Sequence, residues 1–210
     1  MSSTGRGAAR IAADAYYTPP WVTLALLDAL QADGLIPPGG FDILLDPAAG
    51  EGMILRAYKE RYPSAPVAAC ELRAECQPAL AGICGSDLVV IGDGLTAALP
   101  AWPVIANPPY SLAVGFVEHY AHAAPFSAFL LRYGFLASEK RQAMLDALPP
   151  HIIYQLPHRP KFIEGKSGDS CEYIWLVFPP AEWDSANRAG GWNWFRRLPC
   201  VPLDARKRRY

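Results

Sequence analysis

The chain lacks the features that would place it outside a reducing cytoplasm. Its 210 residues contain no apolar run long enough to span a bilayer and no apolar signal-peptide region near the N-terminus. The five cysteines are an odd number without a Cys-x-x-Cys pair, which argues against a disulfide framework and a zinc site. His119 and His122 lie three residues apart, but no carboxylate or cysteine completes a metal site with them. The sequence therefore predicts a cytoplasmic protein with no metal and no membrane partner.

The chain also lacks a strong net charge. Its formal net charge is -1, which argues against a generally basic coat for nucleic acids. Basic residues are nevertheless concentrated with aromatic ones in the C-terminal stretch 181–210. Such a stretch can grip nucleic acid, wrap around the core, form a dimer surface or remain a solvated tail.

Apolar runs alternate with amphipathic stretches along the chain, which is the pattern of βαβ units. With 51% hydrophobic residues, the chain can form one sizeable core. The last two predicted strands are joined by a loop alone, which indicates an antiparallel hairpin closing a mainly parallel sheet. Strands are predicted near Phe41–Asp46, Val67–Glu71, Val104–Ala106, Ser127–Arg132, Ile152–Leu156 and Tyr173–Phe178, and helices near Trp21–Ala32, Gly52–Arg61, Arg73–Ala81, Ser111–Ala123 and Ser138–Leu148.

The most informative motif is the Asn-Pro-Pro-Tyr loop (residues 107–110), which follows a predicted buried strand. Open α/β sheets place their chemistry at the carboxyl ends of strands. The two prolines bar continuation as helix or strand ladder and hold the loop stiff. Its amide and carbonyl oxygens can accept two N–H bonds while the aromatic ring stacks, which suits an exocyclic amino group on a flat ring. The alternative is a proline-rich turn with a buried tyrosine.

Three other segments can form a binding site for a nucleoside-containing ligand. The glycine loop (Asp46–Gly52) allows close backbone approach, and the following helix N-terminus can offer N–H groups to a carboxylate. Asp46 can accept from an ammonium group, and Glu71 can bind ribose hydroxyls. Asp93 can accept from an adenine amino group or serve only as a turn residue. The spacing is not that of a dinucleotide-binding loop, which argues against a Rossmann oxidoreductase.

As an ordered set, these motifs resemble the S-adenosylmethionine-dependent amino methyltransferases, and within them the DNA N6-adenine type of phages and prophages. The resemblance covers about residues 14–178. In chain order, the matching segments are the cofactor-covering segment Asp14–Pro19, the glycine loop, Glu71, Asp93, the Asn-Pro-Pro-Tyr loop, the strand-and-loop motif Leu131–Leu136, and the hairpin segments Leu156–Phe162 and Glu172–Trp175.

The resemblance implies a Rossmann-like class I methyltransferase fold of the α/β class. The expected sheet is mainly parallel and seven-stranded, with an antiparallel C-terminal hairpin and helices on both faces. We expect a flexible leader over residues 1–12, a catalytic domain over 13–180, and an aromatic and basic extension over 181–210 in place of a separate target-recognition domain. S-adenosylmethionine is the implied cofactor, DNA the implied substrate, and a homodimer a possible assembly.

The resemblance also implies a role for each matching residue. The catalytic residues are Asn107, Pro108 and Tyr110. Tyr110 and Phe162 are expected to stack on the target base. The residues expected to bind the cofactor are Tyr17, Thr18, Pro19, Asp46, Ala48, Gly50, Glu71, Leu72, Asp93, Gly94 and Asn107, and those expected to contact nucleic acid are Arg132, Arg159, Lys161 and Lys166.

Several acceptors remain open at this point. The same loop can serve N4 of cytosine, an amino group in RNA or a glutamine amide in a protein. The analogy with phage enzymes favours adenine in DNA. A non-catalytic nucleic-acid-binding or regulatory subunit with the same fold is a further alternative, although the glycine loop and Asn107 are both intact.

Overall fold

The computed structural model describes residues 17–162, 170–180, 194–208 and 210. Within these ranges no helix is long and apolar enough to cross a bilayer. The strands are β1 (Leu44–Asp46), β2 (Val67–Glu71), β3 (Val89–Ile91), β4 (Val104–Ala106), β5 (Ser127–Arg132), β6 (Ile152–Gln155), β7 (Tyr173–Phe178) and β8 (Trp194–Arg197). The α-helices are α1 (Pro20–Ala32), α2 (Met53–Arg61), α3 (Gln77–Cys84), α4 (Ala113–Ala123), α5 (Gln142–Ala147) and α6 (Leu203–Lys207).

The strands form one mixed sheet in the order β3-β2-β1-β4-β5-β7-β6-β8. Strands β1 to β5 pair in parallel, and β7 runs antiparallel to both β5 and β6. The predicted fold class is therefore confirmed, including the antiparallel hairpin. The described part of the sheet has eight strands rather than the predicted seven, because β8 pairs in parallel with β6.

Helices cover both faces of this sheet. Side chains alternate along the central strands, so Leu44 and Ile105 face one apolar cluster while Leu45 and Ala106 face the other. Helices α1 and α2 contribute to the first cluster, and α4 contributes to the second. Strands buried on both faces are expected in a parallel sheet of this kind, and they explain why these segments are apolar without interruption.

Most predicted boundaries hold within a few residues. The first strand starts at Leu44 rather than at Phe41, because the Phe41 backbone N–H donates to the Tyr58 hydroxyl at 2.6 Å instead of to a neighbouring strand. The predicted helix Ser138–Leu148 is a 3₁₀ turn followed by the shorter α5. The sequence analysis did not identify β3, β8 and α6, which are three to five residues long.

The described part of the C-terminal extension is attached to the core. Beyond the pairing of β8, Arg196 forms an ion pair with Asp33 at the end of α1, with Nη1 and Oδ1 2.5 Å apart. Arg208 donates from both terminal nitrogens to the Glu60 carboxylate of α2, at 2.7 and 2.6 Å. These arginines are thus engaged in holding the segment on the core, as a C-terminal wrap requires.

The topology gathers the predicted site residues at one edge of the sheet. Parallel pairing brings the carboxyl ends of β1, β2 and β4 together, and these strands end at or beside Asp46, Glu71 and Asn107. The order in which strands are added to the sheet reverses between the parallel strands β1 and β4, since β2 and β3 lie on one side of this pair and β5 on the other. Open α/β sheets bind ligands at such a switch point.

The loops after β1 and β3 make a very close contact at this edge. A Cβ atom on Gly94 would lie only 2.0 Å from the Pro47 carbonyl oxygen. The Tyr120 hydroxyl of α4 also donates to the Gly94 carbonyl. Only glycine permits this approach, so Gly94 fixes the distance between the two loops.

We predict that Gly94→Ala lowers stability by about 1–3 kcal/mol, because the added methyl group overpacks a rigid backbone contact. Thermal unfolding measures the loss. Gly92→Ala is the matched control in the same turn, since a Cβ there meets its nearest atoms at 3.9 and 4.0 Å. Equal melting temperatures for the two variants would contradict the assigned packing.

Candidate functional site

A cavity opens at the carboxyl edge between the glycine loop, β2 and the Asn-Pro-Pro-Tyr loop. Most of the residues predicted to bind a cofactor line it. Pro19 and Asp93 do not, and neither do Pro108 and Tyr110 of the loop. The predicted residues in the lining are Tyr17, Thr18, Asp46, Ala48, Gly50, Glu71, Leu72, Gly94 and Asn107.

Asp46 is a buried carboxyl group at the floor of this cavity. Its side chain is 1% exposed, and Oδ1 accepts a bond of 3.1 Å from the Ala48 backbone N–H. Burial raises the pKa of Asp46 to about 8, and the negative charge of Glu71 acts in the same direction. A cation placed beside Asp46 would favour its ionised form. The site is therefore suited to an ammonium group.

Glu71 connects the end of β2 to the glycine loop. Its Oε2 accepts from the Gly50 backbone N–H at 2.7 Å. Its Oε1 accepts from Arg73, at 3.1 Å from the backbone N–H and 2.8 Å from Nε. The carboxylate therefore sets the position of the loop and of the guanidinium, and its remaining lone pairs can receive hydroxyl groups.

Asp93 has a local role that the structure makes explicit. Its Oδ1 accepts from the Leu95 backbone N–H at 2.9 Å, which closes a turn around the buried Gly94. Asp93 is exposed and lies outside the cavity lining. Asp93 thus serves as a turn residue, while a contact between Asp93 and a cofactor stays a prediction.

The amide of Asn107 is held in a defined orientation. Its Nδ2 donates to the Thr18 hydroxyl at 3.1 Å, which orients the amide oxygen away from that contact. Oδ1 is buried and accepts no hydrogen bond from the described residues. A buried acceptor left unsatisfied costs about 1–3 kcal/mol, so a donor from a ligand is expected here. This atom is the strongest sign of a binding function.

Tyr17 lies at the rim of the cavity and is 42% exposed. Its hydroxyl donates to Glu51 Oε1 at 2.7 Å. That hydrogen bond, with some burial, raises the pKa of Tyr17. The contact joins Tyr17 to the glycine loop, while residues 14–16 of the predicted cofactor-covering segment lie outside the described residues.

The two residues predicted to stack on a base belong to one aromatic cluster. The Tyr110 ring lies 5.9 Å from that of Tyr173, and the Phe162 ring lies 5.1 Å from it on centroids. Phe162 is buried, with 6% of its surface exposed. Tyr110 and Phe162 therefore both lie beside the Tyr173 ring.

The four residues predicted to contact nucleic acid differ in their surroundings. Arg132 lies over the Tyr110 ring, with its guanidinium carbon 4.8 Å from the centroid. Arg159 donates from Nε to Glu172 at 3.1 Å. Lys161 is exposed, and Lys166 lies outside the described residues. These roles stay predictions.

The sequence analysis did not identify three residues that shape the cavity. Arg73 pairs with Glu71, Glu51 accepts from Tyr17, and Leu112 presents an apolar side chain that is 48% exposed. The signal for Arg73 was its position two residues after a buried acid. Leu112 follows the Asn-Pro-Pro-Tyr loop closely and is a large apolar residue before an amphipathic helix.

The arrangement can bind one ligand with several distinct groups. Asp46 suits a cation, Glu71 suits hydroxyl groups, and the exposed apolar side chains of Leu72 and Leu112 suit a flat ring. Asn107 Oδ1 is an acceptor beside the site. An ammonium, a ribose and an adenine ring are the parts of S-adenosylmethionine, so the residues present fit the cofactor that the resemblance implies.

No protein-family model and no curated protein matches the chain. Solved structures do match it, although at low identity. A candidate class I S-adenosylmethionine-dependent methyltransferase from Listeria monocytogenes is 16% identical with a TM-score of 0.62, over 92% of this chain and 68% of that protein. A candidate RNA methyltransferase from Pyrococcus horikoshii is 16% identical with a TM-score of 0.60, over 84% of this chain and 93% of that protein.

The M protein of the type I restriction enzyme EcoKI is also 16% identical, with a TM-score of 0.58. The alignment covers 79% of this chain but only 44% of the M protein. These likenesses show that the chain has the class I methyltransferase fold, as predicted. The narrower resemblance to phage-type adenine methyltransferases stays a prediction.

The pKa of Asp46 predicts a pH-dependent stability. Because the folded pKa of about 8 exceeds the ordinary 3.8, the folded protein binds an extra proton between these values, and rising pH favours unfolding. Without cofactor, we expect the difference in the free energy of unfolding between Asp46→Asn and the wild type to grow in favour of the variant by roughly 1–3 kcal/mol from about pH 5 to about pH 7. Chemical denaturation measures this gap. The control is Asp42→Asn, which removes an exposed carboxylate, and a pH-independent gap for Asp46→Asn would contradict the assignment.

Proposed function

We propose that the protein transfers a methyl group from S-adenosylmethionine to the N6 amino group of adenine in DNA, with short or relaxed sequence recognition. The observation that carries this proposal is the buried Asn107 Oδ1, which lies at the cavity and accepts no hydrogen bond from the described residues. An exocyclic amino group supplies the donor that this atom lacks.

The cofactor would lie in the cavity at the carboxyl edge. When bound, S-adenosylmethionine supplies an activated methyl group on a sulfonium. Asp46 would hold its ammonium, and Glu71 would accept from its ribose hydroxyls. The glycine loop allows close backbone approach, and the Tyr17–Glu51 hydrogen bond covers the rim. The support is the fit of these groups to the cofactor and the fold shared with the matched methyltransferases.

The acceptor nitrogen of adenine is a weak nucleophile, because its lone pair is delocalised into the ring. Asn107 Oδ1 and the Pro108 carbonyl oxygen would accept hydrogen bonds from its two N–H groups and stabilise the positive charge that develops on nitrogen during attack. As the methyl group moves from sulfur to nitrogen, one of these protons would be released to solvent. Thr18 holds the amide with its oxygen available for this purpose. The stiff loop contributes by positioning both acceptors before the substrate arrives.

Tyr110 would stack on the adenine ring, with Phe162 in the same aromatic cluster. An adenine in a duplex must leave the base stack to reach this loop, at a cost of a few kcal/mol that the new stacking contacts offset. The likeness to the EcoKI M protein supports a DNA acceptor. It does so through a shared fold alone, so the acceptor requires a direct test.

The direct test uses purified protein, labelled S-adenosylmethionine and three acceptors: unmethylated duplex DNA, single-stranded DNA and RNA. The products are digested to nucleosides and identified by mass spectrometry. We expect N6-methyladenine from DNA. N4-methylcytosine or a methylated RNA nucleoside would identify a different acceptor from the proposed adenine in DNA. The absence of any methylated nucleoside, despite cofactor binding, would favour a protein acceptor or a regulatory subunit.

We predict that Asn107→Ala lowers methyl transfer by at least about 100-fold, because the transition state loses a preorganised acceptor. Cofactor affinity, measured by calorimetry, should stay within a few fold. Ser111→Ala is the matched control, since this exposed residue directly follows the loop and should leave turnover unchanged. Normal turnover by Asn107→Ala would exclude the proposed mechanism.

A further inference from the structure

The guanidinium of Arg132 covers the aromatic face of Tyr110. Its central carbon lies 4.8 Å from the ring centroid. Its Nε also donates to the Tyr173 hydroxyl at 3.2 Å, and the Tyr173 ring contacts both Tyr110 and Phe162. Arg132 therefore lies within the aromatic cluster that the proposed function assigns to the acceptor base.

The backbone fixes Arg132 in this place. It is the last residue of β5, which pairs in parallel with β4, the strand that leads into the Asn-Pro-Pro-Tyr loop. Tyr173 is its partner in the antiparallel pairing of β5 with β7. A second cavity lies here, on the Tyr110 side of the loop, and Arg132 and Tyr110 both line it.

A guanidinium is a flat cation that stacks on aromatic rings much as a nucleobase does. One face of the Tyr110 ring is therefore occupied by a side chain of the protein itself. A ring that enters to stack on that surface competes with the guanidinium for the same contact. The bound guanidinium therefore affects which acceptors can stack on Tyr110.

We propose that Arg132 is a specificity-determining residue that occupies the place of the acceptor ring on Tyr110 and must be displaced by it. The displaced guanidinium then binds a phosphate of the same acceptor strand, so the site selects nucleotides in a strand over neutral acceptors. This inference rests on the proposed function and narrows its substrate to one that carries phosphate groups.

The selection follows from the charge of the displaced group. Displacement removes at least the cation–π contact and the hydrogen bond to Tyr173. A phosphodiester compensates for this loss with charge pairing and bidentate hydrogen bonds to the guanidinium. A free nucleoside or a glutamine amide offers neither, so it would bear the whole loss. Arginine remains protonated at any working pH, so the effect cannot be relieved by deprotonation.

The neighbouring cations are held by other contacts. Arg141 donates to the backbone carbonyls of Phe135 and Gly134 at 2.7 and 2.9 Å. Arg159 pairs with Glu172, and both side chains are about half exposed. Neither has a contact over the Tyr110 ring. Arg141 lines the second cavity as Arg132 does, but of these three arginines Arg132 alone lies over the Tyr110 ring.

The test measures binding of the fluorescent base 2-aminopurine, as a free nucleoside and at the centre of a trinucleotide, without turnover. We expect Arg132→Ala to bind the nucleoside at least about threefold more tightly than the wild type, because no cation must be displaced. The same variant should bind the trinucleotide at least about threefold more weakly, with a salt slope lower by about one.

Two further variants separate the parts of the proposal. Arg132→Lys keeps the charge without the flat stacking plane, so it should bind the nucleoside like Arg132→Ala and retain most of the salt slope. Lys140→Ala removes an exposed cation to which no binding role is assigned and should leave nucleoside binding unchanged. Circular dichroism establishes that each variant is folded before binding is compared.

Weaker or absent nucleoside binding by Arg132→Ala would overturn the proposal and make Arg132 a positioning residue for Tyr110. Unchanged trinucleotide binding would overturn the phosphate contact. Failure of the proposed function is a different result, in which the wild type binds cofactor but forms no N6-methyladenine in DNA. If the wild type methylates DNA and Arg132→Ala keeps both affinities, only the role of Arg132 is lost.

Discussion

The parallel pairing of β1 with both β2 and β4 is the constraint on which the site depends. It places the ends of three strands side by side, so that Asp46, Glu71 and the Asn-Pro-Pro-Tyr loop meet although they are far apart in sequence. The close contact between Gly94 and Pro47 then fixes the loops above those ends. A slip in this pairing by one residue would turn the strand-end side chains to the other face of the sheet and remove the site.

The polar groups at this edge fall into two kinds, and the difference indicates where ligands bind. Glu71 is satisfied by Gly50 and Arg73, so it stabilises the loop as well as presenting oxygen atoms. Asp46 and the amide oxygen of Asn107 are buried with few partners from the protein, which costs stability. Residues that lower the stability of the unliganded fold in this way are characteristic of functional sites, because a bound ligand supplies the missing partner.

The sequence was sufficient for the parts of the structure that follow from local patterns. Buried strands were recognised from uninterrupted apolar runs, and the strand-end motifs predicted a common edge because parallel strands share one. The pairing of Arg73 with Glu71 had only their spacing as a signal, and the stacking of Arg132 on Tyr110 had none, since both depend on side-chain conformations across the site. Strand β8 was missed for a related reason, because a four-residue strand is specified by its pairing partner rather than by its own composition.

The C-terminal segment and the Asn107 amide are connected through α1. Thr18, which orients the Asn107 amide, lies just before α1 begins at Pro20. The Trp175 indole donates to the Val22 carbonyl at 3.3 Å near the start of this helix, and Arg196 pairs with Asp33 at its end. Movement of α1 would shift Thr18 and release the amide from the orientation that leaves its oxygen available. The contacts of the C-terminal segment therefore contribute to positioning the Asn107 amide, even though they lie on a different part of the sheet.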